Sequence, residues 1–158
     1  MSKQVFITGI GTDVGKSIVS AVICEKTGAD YWKPIQSGIH PSTDTEVIKR
    51  LISNKETIFH KESYLLKAAL SPHLSAKKEN IEIDINKIVI PPTSNNIVIE
   101  GAGGIMVPIS SDKYIIDIIK QLDVPVVIVS KNYLGSINHT LMTIEILKAN
   151  NIDIKGIV

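Results

Sequence analysis

The chain has 158 residues, 44% of them hydrophobic but only 4% aromatic, and carries a formal net charge of +1. That length suits one domain able to bury about 68–70% of its unfolded surface, with an aliphatic core built from Ile- and Val-rich runs of the kind buried parallel strands require. Near-neutrality without an aromatic platform argues against nucleic acid as a partner, and no segment stays apolar long enough to span a bilayer.

In chain order, residues 5–7 read as a buried strand, residues 8–14 cannot continue it, and Gly15-Lys16-Ser17 opens an apolar run over 18–23 that reads as helix. Strand, glycine loop and helix in that order form a phosphate cradle. Backbone N–H groups converge on an anion at the helix N-terminus, Lys16 reaches the outer phosphates, and Ser17 offers a hydroxyl to Mg2+. A few charge-assisted bonds of roughly 1.5–3 kcal/mol each suffice for micromolar nucleotide binding. The loop departs from the Walker A pattern, with five residues rather than four between Gly9 and Gly15, and a Rossmann reading fails because Val14 stands at the third glycine position. The N-terminal apolar stretch is too short for a signal peptide and has Asp13 close behind it. The one cysteine, Cys24, lies in the apolar run with no basic neighbour, so it reads as a core residue of a reduced, cytoplasmic protein.

Residues 29–35 form the next strand candidate, ended by Lys33-Pro34 and by Gln36-Ser37-Gly38. Residues 43–52 read as a helix starting at Thr43 or Asp44, with Val47, Ile48, Leu51 and Ile52 on one face. Residues 53–62 read as loop, 64–70 as a helical turn or two stopped by Ser71-Pro72-His73, 84–90 as helix and 91–96 as turn. Residues 97–104 form a strand whose apolar run stops at Glu100, at the carboxyl end where open α/β sheets present ligand-facing groups. An acid there is costly unless it is paired or metal-bound. A helix over 114–122, a strand over 125–130, a helix over 136–149 and a strand over 154–158 follow. The alternation predicts a single domain of α/β class, a doubly wound, mostly parallel sheet with helices on both faces, like that of P-loop NTPases. Several side chains keep two readings. Asp44 is a helix N-cap or a metal ligand, Lys33 a surface lysine or a site residue, and Ser136 a cap or part of a carboxylate site. His73 and His139 read as structural, and no Cys or His cluster has zinc spacing.

Six stretches together resemble the dethiobiotin synthetase family, the ATP-dependent ring-closing ligases of biotin synthesis: GIGTDVGKS at 9–17, KPIQSG at 33–38, Asp44, SPH at 71–73, Glu100 with GAGG at 101–104 and Pro108, and GSINHTLMT at 135–143. The likeness covers most of the chain, and the long glycine loop is that family's own form. It implies a reaction of 7,8-diaminopelargonate, CO2 or bicarbonate and Mg-ATP, through a carbamate and a carbamic-phosphoric anhydride, to dethiobiotin, ADP and phosphate. By the same resemblance Gly11, Thr12, Asp13, Val14, Gly15, Lys16 and Ser17, with Glu100 and Gly103, hold the nucleotide, and Ser17, Asp44 and Glu100 hold Mg2+. Lys33, Lys16 and Thr12 serve catalysis, while Thr12, Lys33, Ser37, Gly103, Gly104 and Asn138 contact the substrate. Asn138 is expected to act from the partner subunit of a homodimer, at the start of the 136–149 helix. The resemblance also places the adenine-reading residues beyond Val158, so the chain reads as lacking a C-terminal segment and no base contact is assigned. A rival class, nucleotide-operated dimerising ATPases with deviant phosphate loops, calls for a lysine where Gly11 stands. A cobyrinic-acid-type ligase calls for an amidotransferase domain absent from these residues.

Overall fold

A computed structural model describes residues 3–158. Among the described residues the main sheet consists of β1 (Gln4–Gly9), β2 (Asp30–Trp32), β4 (Phe59–His60), β6 (Ile97–Gly104), β7 (Val126–Val129) and β8 (Ile154–Ile157), and a small second sheet pairs β3 (Ile35–Ser37) with β5 (Tyr64–Leu66). Main-sheet order is β4-β2-β6-β1-β7-β8, and every pairing is parallel. The helices are α1 (Lys16–Thr27), α2 (Asp44–Leu51), α3 (Pro72–Lys78), α4 (Ile115–Leu122) and α5 (Ser136–Ala149).

Strand alternation divides the core in two. Phe6, Ile97, Ile99, Val126 and Ile128 face one side of the sheet and pack with residues of α3, α4 and α5. Ile7, Tyr31, Val98 and Val129 face the other and pack with Ala21 and Cys24 of α1 and Ile48 of α2. Each fully buried aliphatic side chain contributes about 1.5–3 kcal/mol, so this alternation fixes the register in which the strands pair. Cys24 is fully buried, and burial pushes its thiol up to about 12, which leaves it a packing residue.

The edge strand β4 lies inside the stretch read as loop, because a buried acid recruits it. Asp30 accepts from Thr93 Oγ1 at 2.7 Å, from Asn95 Nδ2 at 3.1 Å and from the Ile58 backbone N–H at 3.3 Å, and pairs with His60 Nε2 at 2.9 Å. Burial works against its charge, but these partners outweigh it and hold the carboxyl below its ordinary range.

Other expectations need correction. Residues 29–35 are two strands in two sheets, since Pro34 has no N–H to continue the ladder and its carbonyl turns to accept from Tyr64 instead. Residues 64–66 are strand β5 rather than helix, with Leu65 half exposed and Leu66 buried as period-two alternation demands. Pro72 starts a helix instead of stopping one, standing in the first turn of α3 where its missing N–H costs nothing. Over 84–90 only a 3-10 turn, Ile85–Lys87, forms, and Gln121 Nε2 donates to the carbonyls of Ile85 and Ile88. On α2, Ile48 is buried but Leu51 is 51% exposed, so the inward face is Thr45 and Ile48. Gly135, at φ 102°, occupies the N-cap of α5, so Ser136 is not its cap. The strand β6 spans Ile97–Gly104 as expected, but Glu100 stands in its middle and not at its carboxyl end.

Candidate active site

The site begins where β1 hands over to α1. Gly9 is obligatory there: a Cβ on it would lie 2.6 Å from Val14 Cγ2 and 2.7 Å from the Gly11 carbonyl, so the loop folds back on the strand only because no side chain intervenes. Gly15, at φ 105°, forms the N-cap of α1, and no side chain caps that end. A helix N-terminus left open in this way attracts phosphate through its N–H groups and dipole. Lys16 is 8% exposed and donates from Nζ to the Gly11 carbonyl at 3.0 Å. Burial, then the positive charge of Lys33, lowers its pKa.

On α1, Ser17 and Ser20 are three residues apart and face Glu100 together. On the strand side, Tyr31 and Lys33 are two residues apart and face the same acid. Glu100, 1% exposed, accepts on Oε1 from Ser17 Oγ at 2.9 Å and Lys33 Nζ at 3.1 Å, and on Oε2 from Ser20 Oγ at 2.8 Å and Tyr31 Oη at 3.2 Å. Asp44 completes the cluster, its Oδ1 lying 3.0 Å from Ser17 Oγ, whose single proton the two carboxylates share, and its Oδ2 lying 2.7 Å from Lys33 Nζ. The cap of α2 is Thr43, in a reciprocal capping box with Glu46, which frees the Asp44 carboxylate for this cluster. The Asp44 N–H donates to Gln36 Oε1 at 3.1 Å, and Gln36 Nε2 is held in turn by the Gly38 carbonyl at 2.9 Å.

Lys33 is 3% exposed. Burial opposes its charge, but the carboxylates of Glu100 and Asp44 outweigh burial and raise its pKa, so it stays an ammonium. Burial likewise pushes Asp44 up, and Lys33 outweighs that and lowers it. Burial, then the charge of Glu100, drives the Tyr31 hydroxyl well above its ordinary range and keeps it a donor. Removing charges from water costs several kcal/mol per ion, so a buried ionic cluster like this is a poor stabiliser. What it provides is two carboxylates, a hydroxyl and an ammonium held in one place.

That place is the floor of a cavity of about 620 Å³. Among the residues singled out from the sequence, Thr12, Asp13, Gly15, Lys16, Ser17, Lys33, Ser37, Asp44, Glu100 and Gly103 line it. Val14 is buried under the loop, and Gly104 lies against the loop backbone, where a Cβ would stand 3.3 Å from the Gly9 carbonyl. Ser37 Oγ is buried without a hydrogen-bond partner, a polar atom available to a ligand. Asn138 is not in this cavity; it is exposed on α5, with Nδ2 3.4 Å from Met142 Sδ. Sequence reasoning missed Ser20, Tyr31 and Gln36, although helical spacing from Ser17, strand spacing from Lys33 and the KPIQSG motif were there to point at them. It also gave no site role to residues 69–72, which line the cavity from the segment between β5 and the first residue of α3.

Among the described residues no three His, Cys, Asp or Glu side chains gather as an all-protein metal cage. Two carboxylates and a serine hydroxyl are instead the partial, hard-oxygen set with which Mg2+ is held when phosphates and water supply its other positions, so the donor chemistry fits that ion.

A family model described as an AAA domain matches residues 3–158. Among curated proteins, the ATP-dependent dethiobiotin synthetase BioD of Christiangramia forsetii is 49% identical over 158 residues, spanning all of this chain and 76% of the relative. The protein of the same name from Cytophaga hutchinsonii is 48% identical, over 99% of this chain and 76% of its own length. That of Brucella ovis is 37% identical, over 99% and 74%.

Proposed function

The chain belongs to the ATP-dependent dethiobiotin synthetase family, and from that premise we propose how residues 1–158, acting as one ligase domain, carry the reaction. ATP lies with its phosphates along residues 11–17 against the open N-terminus of α1, where Lys16 turns from the Gly11 carbonyl to the outer phosphates and Asp13 stands beside them. Ser17, Asp44 and Glu100 would hold Mg2+, which when bound neutralises phosphate charge. The diamine, 7,8-diaminopelargonate, lies across Thr12, Ser37, Gly103 and Gly104.

One amine adds to CO2, forming an N–C bond and losing a proton, to give a carbamate. A carbamate oxygen then attacks the γ-phosphorus, and the bond to ADP breaks. The second amine attacks the carbonyl carbon, phosphate leaves and a further proton is lost, closing the ring of dethiobiotin. No side chain needs to become a nucleophile. The work is positioning and charge balance, and the Lys33 ammonium, held beside the phosphate loop, balances the charge that develops on the carbamate oxygens and the transferring group.

The observation that carries this reading is the convergence of Ser17, Lys33, Asp44 and Glu100, from four separate segments, at the loop that starts α1. ADP release should require both the diamine and bicarbonate; ATP turnover indifferent to either one would overturn the reading.

The active unit in this reading is a homodimer. Its support is α5 and the turn before it, which expose Leu134, Ile137, Leu141 and Met142 within one stretch, an apolar grouping of the kind that marks interaction surfaces. Asn138 lies on that same stretch, near a helix N-terminus suited to the substrate carboxylate of the partner's site. Among the described residues no helix is long and apolar enough to cross a membrane, and a cytoplasmic location agrees with the single, buried thiol of Cys24.

A further inference from the structure

Glu100 meets Ser17 and Lys33 through its Oε1 atom. Its other oxygen is engaged just as fully. Ser20 Oγ, from one turn further along α1, and Tyr31 Oη, from β2, both donate to Oε2, at 2.8 Å and 3.2 Å. Both residues are entirely buried, and neither lines the cavity. The terminal torsion of a glutamate has a broad, shallow profile, so a carboxylate on its own does not hold one plane. Two donors arriving at one oxygen from different elements remove that freedom, and they leave Oε1 as the oxygen turned towards Ser17 and Asp44.

We infer that Ser20 and Tyr31 are positioning residues for metal binding: they pin Glu100 through Oε2 so that Oε1 is presented to Mg2+. This rests on the reading of Glu100 as a metal ligand. Neither hydroxyl touches nucleotide, substrate or metal in this arrangement. Partners that orient a ligand carboxylate in this way characteristically alter metal affinity about 10–100-fold when removed.

The test uses the full chain with a non-hydrolysable ATP analogue, and Mn2+ as a paramagnetic substitute for Mg2+, its binding followed by electron paramagnetic resonance. Tyr31→Phe keeps the ring and Ser20→Ala nearly keeps the volume, so each removes little besides the hydroxyl. Each should weaken Mn2+ binding about tenfold or more and raise the Mg2+ concentration for half-maximal turnover to match, with kcat largely restored at saturating Mg2+. Glu100→Gln serves as the control and should weaken Mn2+ binding at least as much. Parental Mn2+ affinity in both hydroxyl variants, with weak binding in Glu100→Gln, would overturn the positioning role and leave the metal assignment standing. Parental affinity in Glu100→Gln as well would show instead that the metal reading had failed. Lowered melting temperatures with turnover lost at every Mg2+ concentration would mark the hydroxyls as purely structural and also overturn the inference.

Discussion

Lys16 and Lys33 share one site and are shifted in opposite directions, the first lowered by burial and by its cationic neighbour, the second raised by two carboxylates. The difference separates their roles. Lys16 has a hold on only one carbonyl and is proposed to turn from it to nucleotide, so Lys16→Ala should lower nucleotide affinity about 10–100-fold, the equivalent of one charge-assisted bond of roughly 1.5–3 kcal/mol, and turnover by more. Lys33 is tied to Asp44 and Glu100, so Lys33→Gln should leave nucleotide affinity within about threefold and reduce turnover at least a hundredfold, the pattern of an interaction made in the transition state. Calorimetric titration beside steady-state kinetics separates the two, and equal loss of affinity and turnover in Lys33→Gln would remove it from the substrate site. The sequence left Asp44 open between cap and ligand, yet the deciding signal was local: Thr43 with Glu46 three residues on is a capping box, and it makes the Asp44 side chain unnecessary as a cap. For Lys33 no such local signal exists, because what buries it lies far along the chain at Glu100.

Elements with a strong period or a distinctive loop were legible: β1, α1, α4, β7, α5 and β8 stand close to where the pattern of apolar residues puts them, although β1 runs on through Thr8 to Gly9, residues read as unable to continue it. The phosphate loop lends itself to a direct test. A Cβ at Gly9 would collide with Val14 and with the Gly11 carbonyl, whereas a Cβ at Gly11 would meet nothing within 4 Å. Gly9→Ala should therefore lower the melting temperature and abolish nucleotide binding, while Gly11→Ala should leave the melting temperature unchanged. Thermal unfolding with and without ATP reads both effects, and equal tolerance at the two positions would mean that the loop does not close on β1 as described. Three-residue strands such as β3 and β5 were illegible for a physical reason. Each is too short for alternation to show, and each is stabilised by pairing with the other across the chain, which no local window contains. Pro72 misled because proline is a helix breaker everywhere except the first turn.

For the whole molecule, the side of α5 that exposes Ile137 and Leu141 faces solvent in the single chain, and the homodimer proposal assigns it to a subunit contact. A double variant, Ile137→Lys with Leu141→Lys, should sediment as a monomer, keep its nucleotide affinity, and lose ring closure at least a hundredfold, since the cavity itself is untouched while the partner's contribution is gone. Unaltered sedimentation with full turnover would put the contact elsewhere. What the sequence by itself determined is everything that contiguous residues can enforce: a strand, a glycine loop and an open helix end with the geometry of a phosphate cradle, and the alternation of strands and helices that leads to a parallel sheet. What only the tertiary structure decided is which distant side chains meet. Ser20 and Tyr31 lie 80 and 69 residues from Glu100. They reach it because β6 pairs with β1 on one edge and β2 on the other, so the helix that follows β1 and the side chains of β2 flank the same acid. Strand order is selected by the total burial of both faces and not by any local preference, so spacing alone could put Ser20 on the side of Ser17 and Tyr31 on the side of Lys33, but only the fold brings them to Glu100.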